Sequence, residues 1–250
     1  MSVEAPNNIT FSQSYDLKPI ISKRNVSLFQ QHLKSEQQLY GSRSDYQPKS
    51  PQKDIHWLEY SKGNFQSTDD ALQKLSTHKK PTLLKFSNST GPALSSLFKS
   101  LPHQKNVQHL IVRHTHFQFN HSQQVARILQ LNDGIAWLVL DHNEIDDRGI
   151  REIANGLENN SSVVHAILAD NNFGDDGARA LANTLQKNEH LKSLFIQGNN
   201  ITDQGIQSII ESLPHAKKLE IIDVRDNVLS ASTIKQLSQV CEQQGIRCYT

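Results

Sequence analysis

The sequence predicts an α/β solenoid in which parallel strands alternate with helices. Asparagine recurs at Asn143, Asn171, Asn199 and Asn227, one every 28 residues. Each asparagine follows the same apolar spacing, and each unit then continues with helical periodicity. A fixed period of this length is typical of stacked strand–helix repeats that bury one continuous core. We therefore expect a single repeat domain over residues 55–250.

The first half of each repeat has the pattern of a strand that is buried on one side. When Ile135, Val163, Leu191 and Leu219 are numbered position 1 of their repeats, apolar residues fall at positions 4, 6 and 11. Positions 3, 5 and 7 alternate with the apolar positions and therefore lie on the opposite face of the strand. Asparagine at position 9 coincides with the sharp turn out of the strand, where backbone groups inside the stack need hydrogen-bond partners. We expect these asparagines to be structural.

The second half of each repeat has the periodicity of an amphipathic helix. Apolar residues at positions 16, 19, 20 and 23 form one stripe, as in Ile150, Ile153, Ala154 and Leu157. The same stripe recurs in the two repeats that follow. These helices are expected to cover the apolar face of the sheet.

The register extends in both directions from these repeats. Toward the N-terminus, a repeat beginning at Val107 has Thr115 in place of asparagine, and two shorter units carry Leu84 and Leu58 at position 4. At the other end, residues 247–250 restart the strand pattern. The sequence therefore predicts about seven repeats followed by a closing strand.

This unit resembles the ribonuclease-inhibitor-type class of leucine-rich repeats. The resemblance rests on the 28-residue period and on the segments Asp175–Asp176–Gly177 and Asp203–Gln204–Gly205, which open the helices. It implies a horseshoe with a parallel inner sheet and outer helices. The class includes inhibitors, nucleotide-sensor receptors and Ran GTPase-activating proteins, so it implies no single activity.

The segment 1–54 does not follow the repeat. Residues 25–40 have the apolar spacing of one helix, and Pro48 and Pro51 lie in a polar stretch typical of a linker. Because the end of a solenoid core needs a cover, we expect a cap together with a flexible segment. A separate recruitment element is the alternative.

Composition restricts the class of partner and the compartment. The net charge of +1 gives no basic field for nucleic acid. Mean hydropathy is −0.55, and no apolar run is long enough to span a bilayer. The N-terminus has no secretory signal pattern, and the two cysteines, Cys241 in the core and Cys248 on the last strand, are expected to be reduced thiols. We expect a cytoplasmic protein.

The outward positions of successive strands form columns on the concave face, which we define as positions 3, 5 and 7. Position 5 is apolar in four consecutive repeats, and both tryptophans fall at position 3, with Tyr249 closing that column. Sheet propensity explains the β-branched residues but not the aromatic ones, which favour a protein interface. The candidate partner-binding residues are Trp57, Lys85, Ile111, Arg113, Trp137, Val139, Asp141, His165, Ile167, Phe195, Ile221, Asp223, Arg225 and Tyr249. Four of them are expected to be rim charges that govern the partner's orientation and on-rate more than its affinity: Arg113, Asp141, Asp223 and Arg225.

No catalytic motif is present in the sequence. The one constellation with metal-binding chemistry is the set of His114, His142 and Asp170, at position 8 of consecutive repeats, with His116 and Asp141 close by. A chance alignment on a solvated edge explains it better, because the chain has 12 histidines. We therefore predict no cofactor and no enzymatic activity.

The favoured function is a non-enzymatic module that binds a folded protein partner. The 42 asparagine and glutamine residues among 250, in a short repeat array, make the chain similar to effectors that bacteria such as Legionella deliver into host cells. That resemblance implies a partner that is another effector or a host protein, and regulation by occlusion of an enzyme's active site. The alternatives are a regulator of a host small GTPase, with Arg113 as the contributed arginine, and a histidine–metal enzyme.

Overall fold

Eight strands form one parallel sheet in sequential order in the part of the chain that is described. The computed structural model describes residues 56–61, 73–77, 80–88, 91–115 and 117–250. The strands are β1 (His56–Ser61), β2 (Thr82–Ser87), β3 (Val107–Arg113), β4 (Trp137–Val139), β5 (His165–Ile167), β6 (Ser193–Phe195), β7 (Ile221–Asp223) and β8 (Arg247–Tyr249). The predicted seven repeats with a closing strand are confirmed.

Helices alternate with these strands. They are α1 (Gly91–Ser100), α2 (Phe119–Leu131), α3 (Asp147–Glu158), α4 (Asp175–Lys187), α5 (Asp203–Ser212) and α6 (Ala231–Gln244). Residues 73–77 are also helical, and short 3-10 turns follow α1 and α5. The predicted α/β leucine-rich-repeat solenoid is therefore confirmed. The predicted boundary at residue 54 and the predicted helix over residues 25–40 lie outside the described residues.

One core runs between the sheet and the helices. Leu138 and Leu194, at position 4 of their strands, and Ile153 and Ile209, in the helix stripe, are all 0% exposed. These residues belong to one continuous apolar cluster that extends through successive repeats. Because each repeat is covered by its neighbours, burial of apolar surface stabilises the stack as a whole.

The chain leaves each of the strands β2 to β7 through a left-handed residue at position 8. The residues concerned have φ between 48° and 66°: Asn88, His114, His142, Asp170, Gly198 and Asp226. Glycine tolerates this conformation best, and among the other residues Asn, Asp and His tolerate it better than most. The turn predicted at position 9 therefore begins one residue earlier, which explains why position 8 after β2 to β7 carries only Asn, His, Asp or Gly.

The asparagine that follows at position 9 bridges neighbouring repeats. Asn171 Nδ2 donates hydrogen bonds of 3.0 Å to the carbonyl oxygens of Leu140, Leu168 and Ala169. Its Oδ1 accepts a bond of 3.2 Å from the backbone N–H of Ile145. Three further residues donate to backbone carbonyls in the same way: Asn143, Asn199 and Asn227. The predicted structural role of this ladder is confirmed.

A second asparagine ladder follows the helices and was not predicted. Asn160 Nδ2 donates to the carbonyl oxygen of Leu129 at 2.7 Å, and its Oδ1 accepts from the backbone N–H groups of Ser162 and Val163. Asn132 and Asn188 make equivalent bonds. The 28-residue spacing of these three residues was a sequence signal for this role.

The register of the closing strand differs from the prediction. Tyr249 pairs with Asp223 and therefore lies at position 5, whereas the 28-residue period placed it at position 3. The last helix ends at Gln244 and is followed by Gly245, which adopts a left-handed conformation with φ of 70°. Ile246 N–H then donates to the carbonyl oxygen of Cys241 at 2.8 Å, and the chain enters the sheet two residues early. The predicted column of Tyr249 was wrong.

Candidate protein-binding face

The strand register builds the columns of the concave face. The position 3 column contains Trp57, Leu83, His109, Trp137, His165, Ser193, Ile221 and Arg247. The position 5 column contains Glu59, Lys85, Ile111, Val139, Ile167, Phe195, Asp223 and Tyr249. Apart from Tyr249, every predicted residue of these two columns has the register that the repeat assigned to it.

An apolar cluster separate from the main core lies on this face. Leu83, Ile111 and Val139 are 2%, 8% and 6% exposed, and Ile167 packs against them. The stripe formed by these aliphatic side chains is therefore packed more closely than an open binding surface, because neighbouring side chains of a parallel sheet cover one another. Ile167 and Phe195, which continue the stripe, are only partly buried and remain open to contact.

Three rings stack along position 3 beside the apolar cluster. The ring centroids of His109 and Trp137 are 5.8 Å apart with nearly parallel planes, and those of Trp137 and His165 are 4.0 Å apart. Nδ1 of His165 lies 3.0 Å from the hydroxyl oxygen of Ser193. His109 was not among the predicted site residues, although it shares the column of both tryptophans.

Burial keeps these histidines uncharged. Desolvation lowers the pKa of His109 to about 4, and it also lowers the pKa of His165 to about 4, with a smaller effect from Lys192. Both imidazoles are therefore neutral at pH 7, and the indole of Trp137 between them is half-buried. The centre of the face is an uncharged aromatic surface.

The charges at one end of β3 and β4 are buried rather than solvated. Arg113 Nε donates a hydrogen bond of 2.5 Å to Oδ1 of Asp141, whose side chain is 4% exposed. Burial acts to raise the pKa of Asp141, but hydrogen bonds from His142 and Arg113 outweigh it and hold the pKa below its usual range. The predicted rim role was wrong for this pair, because residues at position 7 of adjacent repeats lie close enough to neutralise each other.

A second ion pair, with a buried carboxylate and a partly exposed arginine, lies near the other end of the sheet. The side chain of Asp223 is 0% exposed, and Arg225 donates to its Oδ2 at 2.6 Å. The Arg225 guanidinium also lies 5.6 Å from the ring centroid of Tyr249. Asp223 is therefore not a rim charge either, and the cation of Arg225 is directed at groups of this protein.

Of the histidines proposed as an alternative metal site, His142 pairs with two carboxylates and lies beside His114. Nδ1 of His142 lies 2.9 Å from Oδ2 of Asp141, and its Nε2 lies 3.4 Å from Oδ2 of Asp170. The hydrogen bond to Asp141 raises the pKa of His142. The ring centroids of His114 and His142 are 4.7 Å apart, and the ring planes are tilted by 50°. The described residues include no group of three or more His, Cys, Asp or Glu arranged to hold a metal, and His116 lies outside them.

The repeated strand–turn–helix unit, the asparagine ladders and the parallel sheet define a leucine-rich-repeat solenoid. A leucine-rich-repeat family model matches residues 159–182 and 187–209, within the repeats that carry α4 and α5. Curated protein sequences give no match. No helix among the described residues is long and apolar enough to cross a membrane.

This chain is similar to solved structures of several different proteins. Actin-binding site 2 of leiomodin-1 is 19% identical, with a TM-score of 0.47 over 53% of this chain and 79% of that one. An internalin from Listeria monocytogenes is 14% identical, with a TM-score of 0.27 over 72% and 69% of the two chains. A protein from Bacteroides fragilis is 9% identical, with a TM-score of 0.33 over 93% and 84%. Similarity at this level identifies no partner.

Proposed function

We propose that the repeat domain binds a folded protein through its concave face and carries out no chemistry itself. The observation that carries this proposal is the partly exposed group of Trp137, Ile167 and Phe195 on adjacent strands, beside a packed apolar cluster. Apolar surface with fixed geometry loses little conformational entropy on binding. Aromatic side chains in such a setting are the residues that most often dominate binding energy.

The dimensions of the sheet suit a protein-sized partner. Eight strands with a spacing of about 4.8 Å extend roughly 34 Å along the stack. A standard interface buries ~800 Å² per partner, which a surface of this length accommodates. The carboxylates of Asp141 and Asp223 are buried and paired with Arg113 and Arg225, so apolar contact and shape supply most of the affinity.

The finer form of the proposal is a bacterial effector that occludes the active site of another effector enzyme or of a host enzyme. It is supported by the resemblance to ribonuclease-inhibitor-type repeats and by the composition rich in asparagine and glutamine. A small-GTPase regulator needs an arginine that projects into the partner's site. The side chain of Arg113 is 13% exposed and bonded to Asp141, so the GTPase alternative has less support.

The test separates the concave face from the helical side of the same repeats. A Trp137→Ala/Phe195→Ala variant is compared with Asn183→Ala/Gln186→Ala, which changes two exposed residues of α4. Partners captured by wild type are identified and purified, and their Kd values are measured for each variant. We expect the concave-face variant to bind at least about 30-fold more weakly, and the helix variant to stay within about twofold of wild type. Equal binding by all three proteins, each shown to be folded by its melting curve, would overturn the proposal.

The occlusion hypothesis needs a separate measurement. The activity of the purified partner is assayed with increasing amounts of wild type and of the Trp137→Ala/Phe195→Ala variant. Occlusion predicts loss of activity at stoichiometric wild type and retained activity with the variant. A partner that binds tightly but keeps full activity would exclude occlusion and leave the binding function in place.

A further inference from the structure

The fold brings together the chain's two cysteines, which are seven residues apart in sequence. Cys241 lies in α6 and is 1% exposed, whereas Cys248 lies on β8 and is partly buried against the same core. Both side chains pack at the same end of the core, and each thiol perturbs the pKa of the other. Both cysteines are free, so this end of the solenoid holds two neighbouring thiols.

The contact follows from the positions that the two residues occupy. Cys241 is at helix position 23, and the register of β8 places Cys248 at position 4, beside Ile222. In the preceding repeat these core positions hold Leu213 and Ile222, which are 1% and 0% exposed. Two aliphatic residues would thus satisfy the packing. Packing alone gives no reason for both of the chain's cysteines to lie at these two facing positions.

We propose that Cys241 and Cys248 form a reversible intramolecular disulfide when the protein meets a small-molecule disulfide such as glutathione disulfide. The Cys248 sulfur, which is the more exposed, attacks one sulfur of glutathione disulfide and releases one glutathione. The Cys241 sulfur then attacks Sγ of Cys248 and releases the second glutathione. Two protein S–H bonds become one S–S bond, and the oxidant is reduced to two thiols, so atoms and electrons balance.

The environment of the pair sets the speed of the exchange. The interaction between the two thiols lowers the pKa of Cys241 and, together with burial, raises the pKa of Cys248. Because the thiolate is the attacking species, the first step is slow at neutral pH and becomes faster as pH rises.

The disulfide acts on one end of the concave face. It joins α6 to β8, and β8 carries Tyr249 at position 5, where its ring lies 5.6 Å from the Arg225 guanidinium. Oxidation therefore restrains β8, which forms the last strand of the position 3 and position 5 columns. The proposal concerns the covalent state of the chain and stands whether or not the concave face is the binding surface.

The full-length folded protein is incubated with glutathione disulfide at about pH 8 and then denatured in an alkylating agent. We expect a mass lower by about 2 Da with no alkylated cysteine, and full reversal by dithiothreitol. The Cys248→Ser variant provides the matched control, since the single buried thiol of Cys241 has no partner. It should retain one alkylatable cysteine and show no intramolecular loss of mass.

A second readout uses wild type alone and does not depend on the folding of a variant. Amide hydrogen exchange is measured for residues 246–250 before and after oxidation, with α4 as an internal reference. We expect slower exchange in the closing strand and unchanged exchange in α4. Wild type that keeps two alkylatable thiols, or that forms only mixed or intermolecular disulfides, would overturn the proposal.

Discussion

The carboxylate of Asp147 caps the helix of the next repeat. Its Oδ1 accepts hydrogen bonds of 2.8 Å from the backbone N–H groups of Gly174 and Gly177, at the start of α4. The N-terminal residue Gly174 supplies no side-chain cap of its own. Asp175 repeats the contact toward Gly205, at 3.0 Å. Helix capping in this solenoid is therefore an interaction between repeats as well as within them.

Replacement of Asp147 by alanine should destabilise the protein by about 1–2 kcal/mol, because two helix N–H groups lose their acceptor. The measurement is urea unfolding followed by circular dichroism. The matched control is Asp176→Ala, which removes an exposed carboxylate from the first turn of α4 and breaks only its surface pairs with Arg179 and Arg151. We expect less than about 0.5 kcal/mol for the control. Equal effects of the two changes would contradict the capping role.

Asn171→Ala should cost about 3 kcal/mol of unfolding free energy. Three buried carbonyl groups lose the amide that bridges them, and a buried unsatisfied polar group costs about 1–3 kcal/mol. The neighbouring Asn172 is exposed, and Asn172→Ala makes the same chemical change outside the core. Thermal and urea unfolding of the two variants should differ clearly. A loss below about 1 kcal/mol for Asn171→Ala would mean that water replaces the amide.

The Arg113–Asp141 pair should behave as a buried ion pair. Arg113→Met leaves the Asp141 carboxylate with His142 as its remaining charge partner and should destabilise the fold by about 3 kcal/mol. The double change Arg113→Met/Asp141→Leu removes both charges and should regain most of that loss. The free energies of urea unfolding of the single and double variants show how strongly Arg113 and Asp141 are coupled. Additive losses in the double variant would show that the pair is not coupled.

Folding stability should fall as pH decreases from about 6.5 toward 4. His109 and His165 have folded-state pKa values of about 4, whereas the unfolded chain titrates near its ordinary value of about 6.5. Between these values the unfolded state binds more protons, so acid favours unfolding by up to on the order of 3 kcal/mol per histidine. His142 acts in the opposite direction, because its raised pKa adds stability that is lost as pH rises through it.

This pH dependence is measured by urea unfolding at about pH 7.5 and about pH 5. A His109→Gln/His165→Gln variant has no titrating group at these positions, so its stability should change less between the two conditions. His190→Gln, at an exposed histidine, is the control and should follow wild type. An unchanged difference in the double variant would assign the acid sensitivity to other groups.

The fold was largely predictable because its signals are local and repeated. The apolar residues at positions 4 and 6 and in the helix stripe identified the core, and the recurrence of Asn171 and its equivalents identified the bridging ladder. The predicted register was wrong at Tyr249, because the turn through Gly245 brings the chain into the sheet two residues earlier than the 28-residue period implies. A period learned from complete repeats contains no information about a shortened last one.

The candidate site was less predictable than the scaffold. The sequence indicated which residues share a column, but it did not show that Asp141 and Asp223 are buried by arginine partners. It also missed the stacking of His109 on Trp137. The exposure of a column residue depends on the conformations of long side chains from neighbouring repeats. The periodicity of the sequence does not determine these conformations.

By itself, the sequence determined the repeat, the faces of each strand and helix, and the composition of the concave columns. Only the tertiary structure decided which column residues remain open, that carboxylates cap helices in neighbouring repeats, and that Cys241 meets Cys248. The physical reason is that alternation along a strand is a property of the backbone, whereas burial, ion pairing and thiol contact arise between repeats. Those contacts exist only once the stack has assembled.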